Sequence, residues 1–221
     1  MNPAIAGARA IAPLAIAIFP FGLVYGVTVA ESSFSDWAGA LASLLVLAGA
    51  AQLALVNLVD DGAPWTIAVL TALVINLRML MYSGALAPSF AEFPMRWRLL
   101  LAHPMTDQTT MTWLSYSQAE RDPERRRSFY LGSAIVFVGA WFAGTVVGVA
   151  VGATIPPDLQ LGFAVPLMFI ALLIPSVRDR PTLVAAAVGF AVTLLAQDAP
   201  LNSGLLIGAG AGIVFGMLAR R

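Results

Sequence analysis

The sequence has no cysteine, no lysine and a single histidine. Without cysteine there are no disulfides, no thiolate zinc sites and no cysteine nucleophile. One histidine, His103, cannot build a histidine metal cluster, so no metal site and no cofactor are expected. Charge is scarce too, at 11% of residues against about 25% in an ordinary soluble domain. The formal net charge is zero and the twelve basic residues, all arginine, fall in small scattered groups, so no basic face exists to track phosphates and nucleic acid is excluded as a partner. Enzyme signatures are missing as well: there is no G-x-S-x-G elbow, no H-E-x-x-H and no pair of carboxylates within an apolar stretch. Met81-Tyr82-Ser83-Gly84 lacks even the first glycine of such an elbow. The chain does not read as an enzyme.

What is present in excess is hydrocarbon. Hydrophobic residues make up 59% of the chain and the mean hydropathy is +0.85, more than a soluble core can absorb. A helix crosses a bilayer with roughly 20 apolar residues, each rising about 1.5 Å through a core about 30 Å thick. Charge-free stretches of that order are Ala10 to Ala30, Trp37 to Val59, Ser128 to Ala153, Leu159 to Val177 and Ala199 to Ala219. Gly62 to Ala91 carries Arg78, Leu99 to Ala119 carries His103 and Asp107, and Pro181 to Gln197 is short. The first stretch follows Arg9 but exceeds the about 7–15 residues of a signal-peptide core, so it reads as a membrane segment. None of these runs alternates as a barrel strand would. The expectation is one integral membrane domain over residues 1–221: an all-α polytopic bundle of about seven or eight transmembrane helices, some broken by Pro or Gly. The second, fourth and seventh stretches are open to being re-entrant or tilted.

Cytoplasmic loops of membrane proteins are enriched in arginine. Eight crossings with a cytoplasmic N-terminus would put Arg9, Arg121 to Arg127, Arg178 with Arg180, and Arg220 with Arg221 inside, leaving Arg96 and Arg98 outside. Small residues recur every four positions in two segments, at Gly144, Gly148 and Gly152 and at Gly204, Gly208, Gly212 and Gly216, so each set lines one helix face. Such faces serve internal packing or a second subunit.

Several positions could carry chemistry. Pro20 interrupts the first segment within Phe19-Pro-Phe-Gly-Leu-Val-Tyr-Gly26, where Phe21, Gly22, Tyr25 and Gly26 could surround opened backbone or simply form a kinked contact face. Pro166 and Pro175 pose the same choice in the sixth. Gly49-Ala-Ala-Gln52 gives Gln52 room to project into the bundle, with Asn57 one turn and a half further on. Arg78 is the strongest signal, because a charge at the centre of a membrane helix costs at least about 2.5 kcal/mol and marks a site by default. It could grip a carboxylate through two parallel N–H bonds, or pair with Asp107. Asn76, two residues before it, would point to the opposite side of a regular helix. His103 and Asp107, four apart, would share a helical face and could relay protons.

Taken in order, Phe21-Gly22 with Tyr25-Gly26, Ala48-Gly-Ala-Ala-Gln52, Asn76-Leu-Arg78 with Tyr82-Ser-Gly84, Thr106-Asp107, and Pro166-Leu-Met-Phe169 leading to Pro175 resemble the AzlC-like large subunits of branched-chain amino acid exporters. That family usually has histidine where Met79 stands and an acidic residue where Gln108 stands. The resemblance implies a secondary transporter subunit in a bacterial inner membrane that exports valine, leucine, isoleucine or analogues, driven by the proton gradient, with a small AzlD-type membrane partner and a homo-oligomer as an option. The substrate residues it implies are Phe21, Gly22, Tyr25, Gly26, Gln52, Asn76 and Arg78, with Asp107 and His103 for proton coupling. The alternatives are a non-transporting scaffold subunit, in which Arg78 and Asp107 merely pair, and an intramembrane enzyme.

Overall fold

The structure is a computed structural model and describes residues 2–152, 154, 177, 179–200 and 203–220. Among the described residues every regular element is a helix: α1 Pro3–Glu31, α2 Asp36–Leu45, α3 Gly49–Asp60, α4 Trp65–Phe90, α5 Met95–Ala102, α6 Asp107–Ser117, α7 Pro123–Gly152, α8 Arg180–Leu195 and α9 Gly204–Leu218. The all-α polytopic reading therefore stands. Three of these, α1, α4 and α7, are long and apolar enough to cross a membrane, and α8 and α9 are shorter apolar helices. The sixth predicted segment, with Pro166 and Pro175, lies outside the described residues. The chain divides into two compact units, Met1–Gly49 with Asn76–Pro156, and Ala50–Ile75 with Pro157–Arg221.

The first unit is built on α1 and α7, which touch backbone to backbone along their length. A Cβ on Gly22 would lie 2.5 Å from the Trp141 carbonyl oxygen, and one on Gly144 would overlap that of Phe19. One turn on, a Cβ on Gly26 would overlap the Thr145 carbonyl, and one on Gly148 that of Leu23. Gly7 lies against Phe129 at one end, and Gly152 against Ala30 at the other. Residue numbers rise together on both sides of the seam, so the two helices run parallel. The contacts are reciprocal, so a local two-fold axis runs along the seam. The sequence carries it: Gly22-Leu-Val-Tyr-Gly26-Val-Thr-Val29 and Gly144-Thr-Val-Val-Gly148-Val-Ala-Val151 share one Gly-x-Val-x-Gly-Val-x-Val pattern at an offset of 122 residues. Small residues permit this approach where lipid gives apolar side chains little reason to associate.

The seam also explains a departure from expectation. The first segment is not broken: α1 continues through Pro13 and Pro20. Pro20 still forfeits its own backbone donor, but Phe19 and Gly22 on either side of it are seated on α7, which holds the helix on course. The breaks fall in the second and fourth segments instead. Residues 46–48 separate α2 from α3, with Leu47 in the left-handed region at φ 47°, and residues 103–106 separate α5 from α6 around Pro104. α2 descends beside α1, where Tyr25 donates to the Gly39 carbonyl at 3.1 Å and Ser43 is bonded to Thr145 at 2.9 Å.

The fourth segment is a hairpin, not a crossing. At the start of α5, Glu92 pairs with Arg126 and the Arg127 guanidinium lies 4.2 Å from the Trp97 ring centroid. At the end of α6, the Tyr116 ring stacks on Phe129 with centroids 3.8 Å apart. Both ends thus meet the first two turns of α7. The arms, 8 and 11 residues long, reach about 12 and 16 Å, roughly half a hydrocarbon core. Leu86, Phe90, Phe93, Leu101, Trp113 and Tyr130 form the core beneath it, which places the end of α4 there as well. The expectation that Arg96 and Arg98 face away from the other arginines is therefore corrected: they lie at the same end of the unit as Arg125 to Arg127.

In the second unit α3 turns into α4 through a short loop in which Gly62 takes φ +81°. α8 starts at an N-cap where the Asp179 carboxylate accepts from the Thr182 hydroxyl and amide, bonds that hold its pKa below the usual carboxylate range. It then packs antiparallel to α9. Gly204, Gly208, Gly212 and Gly216 face Ala196, Thr193 with Gly189, Ala185 with Gly189, and Ala185 with Pro181. Both glycine stripes thus serve internal packing. Gly210 points into open space, with nothing within 4 Å of a built Cβ. Gly208→Leu and Gly212→Leu are expected to pry α8 from α9 and lower the melting temperature of the detergent-purified protein, whereas Gly210→Leu should leave it unchanged. Equal losses in all three would remove this packing as the explanation.

Candidate functional site

Arg78 occupies the middle of α4, in the stretch Val74-Ile-Asn-Leu-Arg78, where apolar residues flank it on both sides. Its guanidinium Nη1 donates to Asp107 Oδ2 at 2.7 Å. Asp107 is the first residue of α6, at the tip of the hairpin. Thr106 caps that helix in a reciprocal box with Thr109, so the cap does not consume the Asp107 carboxylate. A carboxylate in a first turn is also favoured by the helix dipole. The Tyr82 side chain, one turn beyond Arg78 on the same face of α4, lies close to Asp107.

The pair is incompletely used. Arginine and carboxylate can form two parallel bonds, but one is made here. Arg78 Nε and Asp107 Oδ1 are buried without a hydrogen-bond partner among the described residues. Yet 35% and 36% of the two side chains remain exposed, so the pair is open on one side. Inside hydrocarbon such spare donors and acceptors are costly unless something polar meets them.

The other residues singled out from sequence are distributed differently. Phe21, Gly22, Tyr25 and Gly26 are buried in the first unit. Gly22 and Gly26 face the α7 backbone, Phe21 and Tyr25 lie on Trp141 at centroid distances of 5.6 and 5.7 Å, and the Tyr25 hydroxyl is taken by Gly39. Asn76 is two residues from Arg78 in an unbroken helix, so the two leave α4 on opposite sides. Gln52 is buried on the first turn of α3, in the other unit. His103 caps the end of α5, is exposed, and is parted from Asp107 by the helix break, so the shared helical face expected for them does not form. Tyr82 is the residue that sequence reasoning missed. Its spacing of four from Arg78 was the signal that could have found it.

The profile of a family described as AzlC protein matches residues 13–155. An uncharacterized membrane protein of Archaeoglobus fulgidus is 31% identical over 205 residues, covering 90% of this chain and 88% of that one. The inner membrane protein YgaZ of Escherichia coli is 24% identical over 209 residues, covering 89% and 84%. A membrane protein of Helicobacter pylori is 25% identical over 176 residues, covering 79% and 75%. No solved structure matches the chain.

Proposed function

This chain belongs to the AzlC family of membrane proteins, and from that premise we propose that it is the large subunit of a secondary transporter exporting branched-chain or similar hydrophobic amino acids. The observation that carries the reading is the Arg78–Asp107 pair: a cation and an anion held at the tip of a membrane hairpin, open on one side, each with a buried atom that has no partner among the described residues. Unspent polar atoms on the open side of a charge pair favour a polar ligand there. Transport then proceeds by alternating access around bound substrate, without covalent chemistry. Asp107 is the acidic group of the site, so it takes the proton that couples export to the gradient. A small membrane subunit of the AzlD type completes the transporter.

Sidedness is part of the proposal. Arg9, Arg96, Arg98 and Arg125 to Arg127 belong to one end of the first unit, whereas Glu31 and Asp36 belong to the other. Arginine marks the cytoplasmic side, so that end faces the cytoplasm of a bacterial inner membrane. The chain has no cysteine, so single introduced thiols report without background. Arg96→Cys and Asp122→Cys should both react with an impermeant maleimide in inverted vesicles, and Asp36→Cys only in right-side-out ones. Opposite sidedness for Arg96→Cys and Asp122→Cys would refute the hairpin.

Asp107→Asn tests the coupling. The amide keeps the shape and can still accept from an ammonium but cannot exchange a proton, so leucine flux should continue more slowly down its own gradient while pH-driven accumulation is lost. Unchanged pH-driven accumulation would return Asp107 to a structural role.

A further inference from the structure

The α5–α6 hairpin is fastened unevenly. Its base is held by Glu92 with Arg126, Trp97 under Arg127, Tyr116 on Phe129, and Arg98, whose guanidinium donates to the Phe93 and Ala91 carbonyls at 2.7 and 2.6 Å. Its tip, where Ala102 and His103 are exposed and Leu101, Pro104 and Thr106 are buried, is tied to α4 by the Arg78–Asp107 bond. The base is held by ion pairs and stacked rings, and the charged tie at the tip is the Arg78–Asp107 bond.

What could release that charge follows from the atoms left over. Among the described residues Arg78 Nε is a spare donor and Asp107 Oδ1 a spare acceptor, and the two groups already face each other at 2.7 Å. An α-amino acid carries the complementary set, an acceptor carboxylate and a donor ammonium on one carbon. An anion alone could satisfy Arg78 but would orphan Asp107 in hydrocarbon, and an amine alone would do the reverse. Removing one partner of a desolvated pair is strongly unfavourable. A molecule bearing both charges satisfies both residues at once.

We propose that the Arg78–Asp107 pair is a latch on the hairpin tip that only a zwitterion opens: the α-carboxylate takes the two-donor fork of Arg78, the α-ammonium takes Asp107, and the tip swings free of α4. This rests on the reading of the site as an amino acid site and adds how the charge pattern, rather than the side chain, triggers movement. The apolar side chain then contributes affinity without being the signal. Charge neutralised on both partners lets the tip move without stranding either in lipid.

The test uses the full chain in proteoliposomes with one thiol, Ala102→Cys, at the exposed tip. Its rate of labelling by a maleimide dye is measured alone and with L-leucine, with 4-methylpentanoate, which lacks the ammonium, and with isopentylamine, which lacks the carboxylate. Leucine should raise the rate several-fold while neither single-charge analogue does. An added Arg78→Gln with Asp107→Asn should label at the raised rate with no ligand. If either single-charge analogue opens the tip as well as leucine does, the latch is wrong. Leucine flux in the same vesicles without any change in labelling would overturn the latch and leave the transport reading standing. Absence of both flux and labelling change would overturn the two together.

Discussion

Arg78→Ala is expected to lower stability by about 3–5 kcal/mol, because it leaves the Asp107 carboxylate without its counter-charge in hydrocarbon. Arg78→Lys separates that loss from substrate recognition. Lysine restores the positive charge, so much of the stability should return, but an ammonium cannot reproduce the planar two-donor fork. Substrate affinity in the lysine variant should therefore fall strongly while the melting temperature changes little. Neutralising both partners, with Arg78→Gln and Asp107→Asn, should recover much of the stability lost in Arg78→Ala, since no charge then remains unpaired. Thermal unfolding and leucine binding, measured on the same detergent preparations, check all three. A lysine variant that binds leucine normally would show that Arg78 acts only as a charge.

The second large effect belongs to the α1–α7 seam. Gly26→Ala and Gly148→Ala each add one methyl group, but it would overlap a backbone carbonyl oxygen, that of Thr145 or of Leu23. A flexible side chain could yield; a helix backbone cannot without moving the whole helix. Ordinary overpacking destabilises by about 1–3 kcal/mol, and these two changes are expected to exceed that range and to abolish accumulation of folded protein. Gly139→Ala, on the same helix with nothing within 4 Å, is the control and should be neutral or slightly stabilising. Comparable yields of monodisperse protein from all three variants would mean that the seam is not as tight as described.

Much of the fold is legible in the amino-acid sequence. Hydropathy locates α1, α4 and α7, although α1 and α7 begin seven and five residues before the apolar runs Ala10 to Ala30 and Ser128 to Ala153, because a long apolar run in a chain so poor in charge has few other uses. Arg78 and Asp107 are each conspicuous as charges in apolar surroundings, and their pairing is one of the two readings that sequence leaves open for them. Less legible are features that depend on who packs against whom. Pro20 advertises a broken helix, and only the neighbouring α7 keeps it whole. Leu99 to Ala119 has the length of a span, so counting residues cannot show that Pro104 and the Thr106 cap fold it back on itself. That fold brings Arg96 and Arg98 to the same end of the first unit as Arg125 to Arg127, a clustering the linear charge pattern conceals. The two-fold relation of α1 and α7 is present in plain letters as Gly-x-Val-x-Gly-Val-x-Val, but glycine stripes are common in membrane helices and become informative only once they face each other.

Flux tests most directly whether Arg78 and Asp107 are the substrate site of an amino acid transporter. Proteoliposomes containing the full chain, with a small AzlD-type partner where one is needed, are loaded with radiolabelled leucine and its efflux is followed with and without a pH gradient, for the unmodified protein and for the Arg78→Gln, Asp107→Asn double variant. Efflux should be accelerated by the gradient in the unmodified protein and lost in the stably folded double variant. Full transport by the double variant would contradict that assignment.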